Sequence, residues 1–395
     1  MTSAGPQIAD AWLASHEAEL SVVRRRLHAH PELSRREYET TALLVDRLEQ
    51  AGLSPKVLDA GTGLVCDVGT GDGPVVVLRA DIDALPLTDE KDVSYRSQVP
   101  GVCHACGHDV HTAVLLGAGL ALAAVADRLP GRVRLVFQPA EELMPGGALD
   151  VVAQGWIKDA SAIFGLHCDP TLEVGRIGLK AGAITAAADS VEVRLTGPGG
   201  HTSRPHNTVD LVHALATVAT GLPDALSRLV DPRAGLCLVW GHVSAGVARN
   251  AIPREGVLQG TLRVLDTSAW QAAPDLVRRV VDGLVAPYGA RADVTYERGV
   301  PPVVNDVAAT ALFAAAVEAA LGPGAAVPTV QSLGGEDFSW YLEHVPGAMA
   351  RLGVRPPGLD RPLDLHQGMF DVDEAALAVG VRVLVTAAVA ALTAS

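Results

Sequence analysis

Apolar residues fall at helical spacing between residues 12 and 51, with Leu20, Val23 and Leu27 followed by Leu43, Leu44 and Leu48. His30-Pro31 interrupts the run, and because the residue before a proline is pushed out of the α region, the pattern predicts two helices joined by a proline turn. The texture then changes. Val75-Val76-Val77-Leu78 is a continuous apolar run bounded by glycine, as expected of a strand buried on both faces. The same pattern recurs at 133–137, after an apolar helix over 112–126, and again at 162–166. Strand, helix, strand order of this kind predicts a mostly parallel α/β sheet.

From 187 to 298 the spacing predicts an alternating strand (190–196), a helix (209–222), strands (236–242 and 257–264), a helix (269–285) and a strand (294–297). That β-α-β-β-α-β order is the ferredoxin-like arrangement, which folds as a unit of about this length. It reads as an inserted domain, with Gly299-Val300-Pro301-Pro302 leading back. The first domain is then discontinuous, 1–186 plus 299–395. Its last part supplies a helix over 308–320, a glycine-rich loop at 334–335 and a terminal helix. The 395 residues, 49% of them hydrophobic, suit two domains better than one core.

Charge and cysteine content narrow the function classes. The formal charge is −14, and the longest basic run is Arg24-Arg25-Arg26, so nothing attracts a phosphate backbone or an anionic lipid surface. The start of the chain lacks the basic and apolar segments of a secretory signal. The apolar stretches 113–126 and 375–391 read as buried helices rather than membrane spans. Five cysteines in a chain of this length do not make a disulfide framework, which leaves a reducing cytoplasm as the expected location and the thiols available for metal or catalysis.

Chemistry concentrates in Cys103-His104-Ala105-Cys106-Gly107-His108-Asp109-Val110-His111. Thiolate, imidazole and carboxylate are the donors that borderline transition metals prefer, and Gly107 lets the backbone turn so that Cys106 and His108 can face one ion. The plainer reading, a CxxC pair of redox or structural-zinc type, lacks the second ligand pair a zinc finger needs. Gln138-Pro139-Ala140-Glu141-Glu142 follows a predicted strand. Pro139 ends the ladder, so both carboxylates can turn toward a site at the strand's carboxyl end, one to bind metal and the other to take a proton. Asp81 and Asp83, two apart after the Val75 run, suit ligand or supporting work. His167 and His366 are singly ordinary polar residues that gain meaning only by converging with these clusters. In the inserted domain, Gly199-Gly200-His201 is either an exposed turn or a loop whose imidazole hydrogen-bonds a developing oxyanion.

Together these segments resemble the M20 metallopeptidase superfamily, and more closely its amidohydrolase branch, which includes hippurate hydrolases, N-acyl-amino-acid amidohydrolases and plant auxin-conjugate hydrolases. The resemblance runs through Arg25-Arg26-Leu27-His28, Pro31-Glu32-Leu33-Ser34, Arg79 to Pro86, His104 to Asp109, Gln138 to Glu142, Gly200-His201, Asn250-Ala251-Ile252-Pro253 and Gly335-Glu336-Asp337-Phe338. It implies a zinc-peptidase-like catalytic domain and an inserted lid and dimerisation domain. It also implies two divalent metal ions per subunit (zinc, manganese, cobalt or nickel), held by Cys106, His108, Glu142, His167 and His366, with Glu141 as general base. Asp81 stands where the peptidase branches carry a metal-binding histidine, Cys106 helps replace that ligand, and Asp83 orients the site from behind. His201 would reach the active site of the partner in a homodimer or larger homo-oligomer, and Asn250 and Arg263 would hold a substrate carboxylate. Cys103, Cys168 and Gln367-Gly368 depart from the branch's usual residues without removing a ligand or the base.

The expected activity is hydrolysis of the amide bond of a small N-acyl amino acid. Two rivals remain at this level: a hydrolase with Cys106 as nucleophile, and a binding protein on the same scaffold. A serine hydrolase is disfavoured, since His242-Val243-Ser244-Ala245-Gly246 lacks the first glycine of a nucleophile elbow.

Overall fold

The computed structural model describes residues 4–359 and 363–394. The chain divides into two compact units, the first made of Met1–Gly182, Val304–Val330 and Asp337–Ser395, the second of Ala183–Val303 and Gln331–Glu336. Residues 331–336, read from sequence with the first domain, thus cluster with the second.

An eight-stranded sheet organises the first unit, in the order Lys56–Val57, Leu64–Val68, Arg132–Gln138, Val75–Asp81, Ala160–Glu173, Gly347–Arg355, Ile177–Leu179, Ala326–Pro328. The centre is parallel and fully covered: all seven residues of Val75–Asp81 are buried, as its unbroken apolar start requires. Asp81, the last residue of its strand, pairs with Gln138, the last residue of one neighbour, and Arg79 pairs with Gly165 in the other, which runs on to Glu173. The central strand Gly347–Arg355, parallel to Ala160–Glu173, was not expected from sequence. Glycines at 347 and 353 and an arginine at 351 hide its apolar character, although Ala348, Met349, Ala350, Leu352 and Val354 are all buried.

Helices Ala4–Ala29, His108–Ala123 and Ala375–Thr393 pack on one another, and the latter two also meet the sheet. Ala375–Thr393 is long and apolar enough to cross a membrane by composition alone, but most of it is buried in the core. The two N-terminal helices end and begin around the proline turn, at Ala29 and Tyr38. The helix expected from 112 starts four residues earlier, at His108, which places the metal-type donors in its first turn.

The second unit has a four-stranded antiparallel sheet in the order Cys237–Ala245, Glu255–Val264, Ala187–Thr196, Arg291–Val300. Alternate residues of Ala187–Thr196 are buried, with Val191, Val193 and Leu195 on one face. Helix Leu211–Leu229 runs past Pro223, where the sequence reading ended it. Proline cannot donate to the carbonyl four residues back, and that carbonyl, Ala219 O, instead accepts the indole N–H of Trp240 at 2.9 Å.

Candidate metal centre

Gly107 caps the His108–Ala123 helix in the left-handed region, φ 85°, and a Cβ there would lie 2.7 Å from Cys168 Sγ. Only glycine combines that dihedral with that contact. The turn sends Cys106 and His108 to the same place. His108 Nδ1 donates to Asp83, 3.0 Å from its carbonyl and 3.2 Å from Oδ1, so Nε2 carries the bare lone pair. That Nε2 is buried and has no hydrogen-bond partner among the described residues. Asp83 also accepts Ser34 Oγ at 2.6 Å and the Glu142 N–H at 3.0 Å, so one carboxylate orients a histidine and the glutamate loop together. Burial opposes its charge, yet His108 and Ser34 hold it below the usual carboxylate range.

The other donors arrive from three separate elements. His167, on the Ala160–Glu173 strand, donates Nδ1–H to Cys168 O at 2.8 Å and turns Nε2 toward Cys106 Sγ, 3.6 Å away. Burial and the nearby Arg351 keep that imidazole neutral, its pKa well below the ordinary value. Glu142 follows Ala140, whose φ of 56° is held by a bond from its N–H to the buried Glu37 carboxylate at 2.8 Å. His366, with φ 60°, donates its backbone N–H to Ala105 O at 2.8 Å and brings Nε2 to 3.3 Å from Glu142 Oε1. Positive φ at two non-glycine residues beside the donors is strain of the kind that collects at working sites.

These side chains form groups whose donor atoms all lie within 4.8 Å of one another: Cys106, His108 and His167; Cys106, Glu142 and His366; His108, Glu141 and Glu142. The first two share Cys106. Bond lengths of about 2.0–2.3 Å in a tetrahedral shell put two donors of one ion roughly 3.3–3.6 Å apart. The 3.6 Å of Cys106 to His167 and the 3.3 Å of His366 to Glu142 match that spacing. Glu142 Oε1, 3.9 Å from His108 Nε2, is a further buried acceptor with no hydrogen-bond partner among the described residues. The donor set would therefore suit two divalent cations, one for each of the two groups in which Cys106 takes part. The electrostatics agree: Cys106 and Glu142 push the His366 pKa up to about 10. Asp81 and Cys106 raise that of His108 well above the usual value against the effect of burial.

Asp81 lies at the rim of the group. Its Oδ2 is 3.6 Å from His108 Nε2, its Oδ1 accepts His111 Nδ1 at 2.5 Å, and Arg79 Nη1 is 2.9 Å away. His111 Nε2 accepts the Cys168 N–H at 2.8 Å, which fixes its proton on Nδ1. Of the two cysteines that departed from the usual pattern, Cys168 backs Gly107, and Cys103 bridges to Leu85 near Lys91 rather than pairing with Cys106.

In the second unit, His201 is exposed and its short strand pairs with Ala251–Ile252. Ser203 N–H donates to His201 Nδ1 at 3.1 Å, so the neutral ring carries its proton on Nε2 and presents a donor. Asn250 is exposed beside that ribbon, and its carbonyl accepts the Thr202 N–H at 3.3 Å. Arg263 bonds the Leu333 carbonyl. Sequence reasoning missed Glu37 and Arg24. The signal for Arg24 was present: it falls on the apolar stripe Leu20, Val23, Leu27.

The sequence pattern of peptidase family M20/M25/M40 matches residues 77–390. The chain belongs to that family. Among its relatives, a Bacillus subtilis N-acetyl-L-cysteine deacetylase is 38% identical over 366 residues, 92% of this chain and 86% of the relative. A Rhodococcus jostii protein called glutamate–cysteine ligase 2-3 is 50% identical over 369 residues, but the chain spans only 46% of that relative's length. Among solved structures, a dinuclear metal-binding peptidase of the M20 family from Bacillus subtilis superposes with a TM-score of 0.85 at 35% identity, covering 96% of this chain and 99% of the other. The likeness extends to the mostly parallel α/β fold of the first unit.

Proposed function

We propose that this chain is a metal-dependent amidohydrolase that cleaves the amide bond of a small N-acyl amino acid, releasing a carboxylic acid and the free amino acid. The observation that carries the reading is the pair of three-donor groups sharing Cys106, with Glu141 beside His108 and Glu142. Cys106, His108 and His167 would hold one divalent cation, and Cys106, Glu142 and His366 the other. Bound there, the cations polarise the acyl carbonyl and lower the pKa of water.

The rest of the chemistry falls to the side chains. Glu141, nine-tenths buried and next to a ligand without being needed as one, takes the proton from the attacking water and returns it to the leaving amine. As the resemblance implies, His201 would supply its N–H donor to the oxyanion in the active site of a partner subunit, and Asn250 and Arg263 are candidates for the substrate carboxylate. Asp81 and Asp83 hold His111 and His108 in their tautomers. The family and the named deacetylase support the amide chemistry, and the dinuclear relative supports the cation pair. We assign the second unit as lid and dimerisation surface, and the protein to the cytoplasm, where five free thiols remain reduced.

The test strips the protein with a chelator, refills it with zinc, manganese, cobalt or nickel, and measures amine release across N-acetyl, N-benzoyl and longer N-acyl amino acids, N-acetyl-L-cysteine among them. Release that depends on refilling supports the reading. Full activity in the stripped protein would instead favour Cys106 as a nucleophile, a role that burial opposes by pushing its thiol pKa up. No release from any substrate would leave a binding protein.

A further inference from the structure

Arg24 belongs to neither donor group, yet it is the largest fully buried side chain, 1% exposed in the middle of an apolar helix face. A guanidinium so placed needs anions, and it has three. Nε donates to Asp109 Oδ2 at 2.7 Å, Nη2 to Asp371 Oδ1 at 3.1 Å and Nη1 to Glu374 Oε1 at 3.3 Å. Asp109 directly follows the donor His108, while Asp371 and Glu374 follow the donor His366 by five and eight residues. The two segments are more than 250 residues apart in sequence, and one planar fork holds both.

His366 depends on such help more than its partners do. His108 and His167 each have Nδ1 tied to an oxygen that fixes the ring. Among the described residues the His366 ring meets Cys106 and Glu142, the other donors of its own group, and it is 54% exposed. Its aim therefore comes from backbone: the Ala105 hydrogen bond, the bond from Glu90 N–H to Gly368 O at 2.9 Å, and the anchorage of 371–374. Tyr95 OH completes that anchorage by donating to Asp371 Oδ2 at 2.7 Å, under a guanidinium 4.8 Å from its ring centroid. His28, sharing Asp109 Oδ2 at 2.7 Å, braces the other side.

We propose that Arg24 is a positioning residue that clamps the His366 segment to the start of the His108–Ala123 helix and thereby sets the affinity of the Cys106, Glu142, His366 group for its cation. The proposal rests on the reading above that these donors bind metal. Lysine at this position keeps the charge but loses the fork.

The experiment is equilibrium dialysis of the full chain against zinc, with bound metal counted, on wild type, Arg24→Lys, Asp371→Asn and Tyr95→Phe, each checked for fold by near-ultraviolet circular dichroism. Wild type is expected to hold two ions. Arg24→Lys should hold one at unchanged affinity and the second with Kd raised on the order of 10–100-fold, the usual effect of losing a group that orients a ligand. Millimolar zinc should then restore both the second ion and amide release, which a general loss of stability would not allow. Asp371→Asn should weaken the same ion less, and Tyr95→Phe least. Two ions at wild-type affinity in folded Arg24→Lys overturn the proposal alone. Should Arg24→Lys not fold, unchanged affinities in Asp371→Asn overturn it. A wild-type chain that binds no zinc overturns the metal-centre reading and the clamp with it.

Discussion

The two units handle buried polarity in opposite ways. Among the described residues the second unit buries few polar side chains, Thr185, Asp189 and Glu336, and Asp189 is accounted for by Tyr296 OH at 2.6 Å and the Gly299 N–H at 2.9 Å. The first unit buries Arg24, His28, Arg79, Asp81, Asp83, His104, His108, Asp109, Glu141 and His167, among others. Burying an ion costs more than a fold ordinarily recovers, so the surplus marks work other than folding. Polar groups in the second unit serve its own architecture, and any part it has in chemistry rests on exposed residues such as His201 and Asn250.

The sharpest way to break that contrast is to remove one residue from each unit. Glu141→Gln keeps size and hydrogen-bonding reach but cannot take a proton, and should lower kcat by about 10²–10⁴-fold with two ions still bound. His201→Ala removes an exposed donor and should cost about 10²–10³-fold in kcat, again with metal retained. Both are read from steady-state kinetics beside metal analysis. An unchanged kcat for His201→Ala would confine the chemistry to the first unit.

The same contrast explains what could be read from sequence. A buried strand that opens on an unbroken apolar run, such as Val75-Val76-Val77-Leu78 in Val75–Asp81, and the alternating strand Ala187–Thr196 announce themselves by pattern. Gly347–Arg355 does not, because glycines and Arg351 interrupt a strand whose burial comes from neighbours on both sides. The cluster Cys106 and His108 and the glutamate pair were legible by chemical type, whereas His167, which lies within Ala160–Glu173 rather than past a strand end at 166, and His366, in a turn, were legible by resemblance. What the sequence lacked was tautomer and orientation. Nothing in the order of residues says that Asp83 ties His108 Nδ1, that Glu37 holds Ala140, or that an arginine one residue before a quoted motif reaches Asp109, Asp371 and Glu374. Such contacts join segments that only tertiary packing brings together.

A second prediction exploits the buried charges of the first unit. Burial pulls the His28 pKa down, but Asp109 and Asp89 raise it to about 10, against 6.5 for an ordinary histidine. The folded state therefore binds this proton more tightly, so the stabilisation is complete below about pH 6.5 and disappears as pH rises through about 10. Asp109 works in the other direction: Arg24 and His28 hold its carboxyl well below the usual range despite burial, so its contribution is present above about pH 4 and lost on acidification. Urea unfolding of wild type should lose on the order of a few kcal/mol between pH 6.5 and 10. His28→Gln should flatten that alkaline limb, and a limb of unaltered slope would show that the proton resides elsewhere.

The smallest expected effect belongs to the second unit. Helix Thr267–Val285 begins at Asp266, whose Oδ1 accepts the Ala269 N–H at 2.8 Å and satisfies one of the four donors a helix start leaves open. Asp266→Ala leaves that N–H to water and removes a negative charge from the positive end of the helix dipole, for a cost of about 1 kcal/mol. Because the cap touches no group that orients a donor, bound zinc should stay at the wild-type level while the urea midpoint falls. Metal analysis and denaturation on the same preparation check both halves. Loss of zinc from this variant would mean that the second unit helps set the donor geometry, and the division between a unit that folds and a unit that also binds would have to be given up.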